Sequence, residues 1–200
     1  MIHFIAIAVC GYLIGSVNSA ILLVGLRYRQ DVRAGGSGNA GSTNVARTYG
    51  AKLGALTLLC DMLKAGAAGV IGRSLGGDGG YMLGGLFCLI GHCWPVFFRF
   101  KGGKGMAVAA GALLFFDWRL FAIHAAVFVL VFLIWRRVSL STILTVLVFP
   151  PVYYLTMHRL DAVFAAGTAM CVLIVIRHRA NILRLIAGTE PRFQFRRQKP

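Results

Sequence analysis

The sequence predicts an all-α, polytopic integral membrane protein: seven transmembrane helices in one domain, with the N-terminus outside and the C-terminus cytoplasmic. Three observations predict it. Of the 200 residues, 58% are hydrophobic, against about 45–50% in soluble domains. Apolar runs close to the roughly 17–25 residues that span a bilayer recur along the chain. The 21 Lys and Arg, set against 6 Asp and Glu for a net charge of +15, gather between alternate runs. In a soluble chain such charge suggests nucleic acid. Here it marks a cytoplasmic face drawn to anionic lipid, so membrane lipids and no nucleic acid are the expected partners.

Taken in order, the spans are 4–26, 53–72, 79–98, 105–117, 118–135, 138–157 and 160–177. The first run lacks a basic n-region and a small-residue cleavage site, so it reads as a span rather than a signal peptide. The fourth is short, and charge decides for it. With seven spans, one face collects Arg27, Arg29, Arg33, Arg47, Lys52, Arg99, Lys101, Lys104, Arg136, Arg137, Arg177, Arg179, Arg184, Arg192, Arg196, Arg197 and Lys199, which is 17 of the 21 basic residues. The other face keeps Arg73, Arg119 and Arg159, and Lys64 falls within a span. Removing the fourth span sends the basic tail, about 188–200, outside, against the positive-inside rule.

Polar groups inside spans are costly and require partners. Asp61 and Lys64 are three apart and can pair on one helical face; the pair reads as structural support, with a wall of the active site as the alternative. Ser16, Asn18 and Ser19 are expected to hydrogen-bond between helices. Pro150 and Pro151 should kink the sixth span or leave unpaired carbonyls there. The cysteines at 10, 60, 88, 93 and 171 form no CxxC pair, so they read as packing residues, with no disulfide framework, no metal site and no cofactor implied.

Three polar islands fall on the basic face. The first, "GSGNAGSTNVAR" from Gly36 to Arg47, matches GxGxxG only formally, because a membrane helix precedes it in place of a strand. Its physics still suits an anion. Gly36, Gly38 and Gly41 let backbone N–H groups turn inward, while Ser37, Asn39, Thr43 and Asn44 add side-chain partners. Arg47 offers a bidentate fork for phosphate. The bland alternative is a linker before a helix capped by "STN", which leaves the density of donors unexplained.

The second island is "GHCWPVFFRFKGGKG", Gly91 to Gly105. Lys101 and Lys104 flank Gly102 and Gly103, a turn that permits close approach to a phosphate, and the N-terminus of the next helix adds its dipole. It is not a Walker A loop. Lysines snorkelling to headgroups explain Lys101 but not the glycines. His92 is a ligand or base, or a satisfied structural group. In the third island, "RHRANILRLIAGTE" from Arg177 to Glu190, His178 and Asn181 share a helical face that Arg184 continues, and Glu190 reads as the charge partner that fixes the segment. Together the islands describe a cytoplasmic site for two phosphates.

At these residues the chain resembles the acyl-phosphate-dependent glycerol-3-phosphate acyltransferase family (PlsY) of bacterial membrane enzymes. The family's GSGNxGATNxxR motif is met with Ser42 in place of alanine. Its GHxFPxFxxFKGGKGVAT motif is met apart from Trp94, Met106 and Val108, and HRxNIxRLxxGxE is met in full. "DMLKAG" also fits, while Asn18 stands where the family often has proline. The resemblance runs nearly the whole length of the chain, in order. It implies a multi-pass enzyme of the bacterial cytoplasmic (inner) membrane, expected as a monomer. It also implies transfer of an acyl group from acyl phosphate to the sn-1 hydroxyl of glycerol 3-phosphate, giving lysophosphatidic acid and inorganic phosphate. Ser37, Arg47, Lys104, His178 and Asn181 are then the expected catalytic set, Gly102 and Gly103 serve glycerol 3-phosphate, and Glu190 supports the site.

Two roles stay open in the sequence. His178 can take the hydroxyl proton or only position the hydroxyl, and Ser37 can be a nucleophile or a phosphate ligand. No base lies beside Ser37 in sequence, which favours the ligand. No HxxxxD pattern occurs, which argues against the other large class of glycerolipid acyltransferases. A transporter would be expected to show internal repeats and a midplane site; neither is legible. A basic lipid-binding scaffold leaves the glycine loops unexplained.

Overall fold

In a computed structural model that describes residues 1–194, every regular element is helical, and no strand occurs among the described residues. The chain opens with α1 (Ile2–Ser16) and α2 (Ser19–Tyr28). These are one apolar segment broken at Val17–Asn18, where the sequence predicts a continuous span. Asn18 causes the break: its backbone is extended and its Oδ1 accepts from Ile21 N at 3.1 Å, capping α2. The break frees carbonyls at the end of α1. Lys64 Nζ donates to two of them, Val17 O at 2.8 Å and Gly15 O at 3.3 Å. A cation at a helix C-terminus is favoured by the dipole as well as by the hydrogen bonds.

After α3 (Ser42–Tyr49) comes α4 (Ala51–Cys93), a hairpin of two helical arms. The backbone leaves the helical region at Gly76 and Gly77, and Gly77 takes a positive φ of 59° that favours glycine. The arms pack so closely that a Cβ on Gly72 would overlap Gly80 O, and one on Gly84 would overlap Ala68 O. Small residues therefore zip the hairpin, as they do in membrane bundles generally. This antiparallel register brings His92, near the end of the second arm, beside Asp61 on the first, with Nδ1–Oδ1 at 3.6 Å.

The remaining elements are α5 (Met106–Phe116), α6 (Trp118–Trp135), α7 (Val138–Leu147), α8 (Phe149–Met157), α9 (Ala162–Arg177) and α10 (Arg179–Ile186). Pro150 and Pro151 break the sixth predicted span as expected, standing in the first turn of α8. α9 and α10 meet at 59°, with His178 between them. Among the described residues four segments are long and apolar enough to cross a bilayer, or five if the bent α9–α10 pair is one span. The Ala51–Phe98 segment among them is the hairpin, 48 residues folded back on itself. α5, the short fourth run, has 11 residues, about 16 Å of helix. The outward faces are apolar: Leu130, Leu133 and Ile134 on α6 are each about 60% exposed, as suits an integral membrane protein whose solvent there is lipid. All five cysteines are free, with Cys88 and Cys93 buried in the core. Of the basic tail expected over 188–200, residues 195–200 lie outside the described residues.

Candidate active site

The three islands meet at one end of the bundle around a cavity of about 650 Å³. The first island enters it as a tight loop. Gly36 and Gly38 take positive φ values of 61° and 69°, and the buried Asn44 side chain stitches the turn. Its Oδ1 accepts from Ser37 N at 2.9 Å, and its amide donates to Val32 O and Gly35 O, each at 3.1 Å. Both amide hydrogens are therefore engaged inside the loop. Asn44 lines the cavity, but as the staple of the loop rather than as a free ligand. The "STN" cap of the alternative linker reading is not formed: α3 starts at Ser42 with Gly41 as its cap and no capping side chain. The first turn of α3 thus lines the cavity with helix N-terminal N–H groups uncapped by side chains. Ser37, Asn39, Thr43 and Arg47 line it too. No carboxylate pairs with Arg47 among the described residues; its guanidinium stands 5.7 Å from the Phe193 ring centroid.

The second island differs from expectation. Gly103 N donates to His92 O at 3.0 Å and Gly102 N to Cys93 O at 3.2 Å. A side chain on Gly102 would overlap His92 O, and one on Gly103 would overlap His92 Nε2 and stand 2.8 Å from Ala40 O. The two glycines let the loop lie against the end of α4, and their N–H groups are taken by that contact rather than presented to a phosphate. Two arginines clamp the same loop by its carbonyls. Arg177 donates to Gly103 O at 3.0 Å while lying over Trp94, and Arg33 donates to Phe98 O and Lys101 O at 2.9 and 3.0 Å. Lys101 does not reach the cavity. With Gly38 and Gly102 it lines a separate depression beside Arg33, Arg99 and Arg177. Lys104 does reach it, and hydrogen-bonds Asn181 Oδ1. Burial is the largest cause, and with Arg184, Arg177 and Arg47 it outweighs the pull of Glu190 and brings the Lys104 ammonium down to about 8.

Behind the loop lies the buried polar group of the hairpin. Asp61 Oδ1 accepts from Lys64 Nζ at 2.8 Å and from Ser19 Oγ at 2.9 Å, and His92 Nδ1 is 3.1 Å from Lys64 Nζ. The expected pair is formed. Ser19 hydrogen-bonds across helices as expected, Asn18 reaches Ala40 O in the first island, and Ser16 Oγ accepts from Val96 N. His92 and Asp61 both touch the cavity wall.

The third island closes the ring. His178, Asn181 and Arg184 line the cavity from the α9–α10 bend. Glu190 ties down Asn181 and Arg184: Oε1 accepts from Ser139 Oγ at 2.6 Å and from Asn181 Nδ2 at 2.7 Å, and Oε2 accepts from Arg184 Nε at 2.7 Å. Burial pushes the Glu190 carboxyl up, but these three donors prevail and hold it below the usual range, so it remains an anion. His178 Nδ1 lies 2.8 Å from Ile174 O. A carbonyl only accepts, so Nδ1 carries the proton and Nε2 is left as a lone pair. No histidine or carboxylate hydrogen-bonds the Ser37 hydroxyl among the described residues.

The structure therefore brings Ser37, Arg47, Lys104, His178 and Asn181 to one cavity, with Gly36, Asn39, Gly41, Thr43, Asn44 and His92. It leaves Gly38, Lys101, Gly102 and Gly103 outside that lining. The support given by Ser139 and Arg177 has no sequence signal, since each depends on which loop the fold sets beside it. Beyond this polar mouth the cavity continues as an apolar groove between α5, α6, α7 and α9, past Leu113, Phe121, Val146 and Met170.

Comparison with known proteins agrees over nearly the whole chain. Residues 5–188 match the family model described as glycerol-3-phosphate acyltransferase. A glycerol-3-phosphate acyltransferase of Rhizobium etli is 42% identical over 187 residues, covering 93% of this chain and 89% of the relative. One of Syntrophotalea carbinolica is 38% identical over 196 residues, covering 97% and 100%. Among solved structures, PlsY (YgiH), an integral membrane glycerol 3-phosphate acyltransferase, superposes in its glycerol 3-phosphate form with a TM-score of 0.89. That comparison has 33% identity and covers 96% of each chain. The lysophosphatidic acid form gives 0.87 at 32% identity, covering 96% of this chain and 95% of the other. Fold, motifs and extent of match lead to one assignment: this integral membrane protein belongs to the glycerol-3-phosphate acyltransferase family.

Proposed function

We propose that the protein transfers an acyl group from acyl phosphate to the sn-1 hydroxyl of glycerol 3-phosphate at the cytoplasmic face of a bacterial inner membrane, acting without a cofactor, as a monomer and as one domain. One observation carries the reading. A single cavity joins a mouth lined by Arg47, Lys104, Arg184 and uncapped helix N–H groups to an apolar groove. That union suits two phosphate-bearing substrates of which one trails a hydrocarbon chain. The activity on glycerol 3-phosphate for which the family and its relatives are named supports the acceptor.

In this mechanism the hydroxyl oxygen of glycerol 3-phosphate attacks the acyl carbonyl carbon. The bond from that carbon to the phosphate oxygen breaks, and inorganic phosphate leaves. The main obstacle is bringing two anions together in line. Arg47 and Lys104 offset their repulsion, and holding reactants in line is worth about 7–11 kcal/mol in favourable cases. Asn181, held by Glu190, orients Lys104. His178 lies one residue beyond α9, and its free Nε2 accepts a hydrogen bond from the acceptor hydroxyl. Burial of the ring first, and then Lys104 and Arg177 beside it, disfavour a positive charge there, so His178 positions the hydroxyl and a phosphate oxygen takes the proton. Ser37 acts as a phosphate ligand, since no base stands beside it.

The test uses purified protein in detergent with radiolabelled glycerol 3-phosphate and synthetic palmitoyl phosphate. Formation of labelled 1-acyl-glycerol 3-phosphate with release of phosphate is expected. Failure with acyl phosphate but turnover with an acyl thioester would overturn the donor assignment.

A further inference from the structure

The inner part of the groove contains two atoms that a plain hydrocarbon chain does not explain. His124 of α6 is 7% exposed and Thr145 of α7 is 2% exposed, and both line the cavity. His124 Nδ1 is 2.7 Å from Leu120 O. Since a carbonyl only accepts, Nδ1–H donates there and Nε2 keeps its lone pair. That Nε2 is buried without a hydrogen-bond partner, and so is Thr145 Oγ1. Burying such an atom without a partner is costly, because the water bonds it gives up are not replaced. A wall built only for methylenes is better served by Leu and Val at these positions.

Their depth follows from the neighbouring helices. The His124 ring centroid is 5.9 Å from that of Phe149, and the Phe149 ring fills the space left by Gly167 on α9. Gly167 precedes His178 by eleven residues, which at 1.5 Å per residue is about 16 Å along α9. Thr145 lies one helical turn before Phe149, nearer the mouth. The two polar atoms therefore face the far half of a long acyl chain whose carbonyl sits at His178.

We propose that His124 and Thr145 form a hydrogen-bonding station in the acyl groove that recognises an O–H group and so helps to decide which acyl chains the enzyme takes. The O–H comes from a hydroxyl carried on the chain, or from a water kept at that level when the chain is plain. His124 Nε2 accepts from it, and the Thr145 hydroxyl can accept or donate. This rests on the acyl-phosphate reaction proposed above.

The experiment compares kcat/KM for 12-hydroxystearoyl phosphate and for stearoyl phosphate, in the wild type and in His124→Leu/Thr145→Val. The ratio of hydroxylated to plain donor should fall about thirtyfold in the double variant, the size of two ordinary hydrogen bonds. A fall caused by loss on the hydroxylated donor makes the chain hydroxyl the partner. A fall caused by gain on the plain donor makes it a displaced water; both support the station. A ratio within about twofold of the wild type overturns it. Octanoyl phosphate, too short to reach His124, reports whether the double variant is folded. Should it not be, Thr145→Val alone, which keeps shape and removes the hydroxyl, is read by the same ratio with a smaller fall. Wild-type protein inactive on every acyl phosphate would instead refute the underlying reaction, a result distinct from an unchanged ratio.

Discussion

Lys104 shows what the bundle does to a single charge. Free in water, a lysine ammonium titrates near 10.4; here burial first, and then three neighbouring arginines, bring it down to about 8. The sign of the consequence is fixed. Only the charged form attracts a phosphate dianion, and that form is lost as pH rises through about 8. With Lys104 in the proposed role, kcat/KM for glycerol 3-phosphate should descend above pH 8 by about tenfold per pH unit, since this parameter reports groups of the free enzyme. Arginine stays charged throughout. Lys104→Arg should therefore be slower at pH 7, because the contact with Asn181 is reshaped, yet should lack the descending limb. A full profile from pH 6.5 to 10 for both proteins checks this. A limb of the same position in the variant removes Lys104 from phosphate binding. Sequence singles Lys104 out by its place beside two glycines, and the structure brings it to the cavity. Its neighbours Arg177 and Arg184 arrive through the α9–α10 bend, and their effect on it is not.

At the scale of elements, local signals read well and tertiary ones do not. The i,i+3 spacing of Asp61 and Lys64 gives the ion pair, and the Pro150–Pro151 dipeptide gives the break between α7 and α8, because each is set within one turn of chain. The roles of Gly102 and Gly103 are not local. A Gly-Gly turn between lysines suits a phosphate equally well in sequence. Only the hairpin, by setting His92 O and Cys93 O against the loop, shows where their N–H groups go. Asn44 and Ser42 make the same point, since a capping motif is overridden once the amide of Asn44 staples the loop behind it. The glycine reading has a direct test. Gly103→Ala places a methyl against His92 Nε2 and Ala40 O, and overpacking of this kind costs about 1–3 kcal/mol. It should lower Tm in detergent and shift Lys104, raising KM for glycerol 3-phosphate. Gly35→Ala, whose methyl meets only Thr48 Cγ2 at 3.6 Å in the same region, should change neither. Equal effects from the two would show that the close approach at Gly103 is unimportant.

For the whole molecule, charge and pairing argue for one orientation. On the face away from the cavity the three arginines each meet an aspartate: Arg73–Asp78 at 2.9 Å, Arg119–Asp117 at 2.7 Å and Arg159–Asp161 at 2.9 Å. That face is electrically balanced. The cavity face has Asp31 and Glu190 against a large excess of Lys and Arg, which sharpens the asymmetry that the positive-inside rule reads. Counting each arm of the α4 hairpin and the short α5 as crossings, we propose seven spans with the cavity cytoplasmic, where soluble glycerol 3-phosphate is at hand and the acyl chain enters from the adjoining leaflet. Two exposed positions outside the proposed site decide it, Ser74 at the hairpin bend and Lys52 at the start of α4. In a background with the native cysteines replaced by alanine or serine, Ser74→Cys should react with a membrane-impermeant maleimide in intact cells. Lys52→Cys should react only after permeabilisation. Both proteins should keep acyltransfer activity, since neither side chain lines the cavity. The opposite labelling would place the phosphate-lined mouth outside the cell, away from the cytoplasmic substrates of the proposed reaction, and the mechanism would fall together with the orientation.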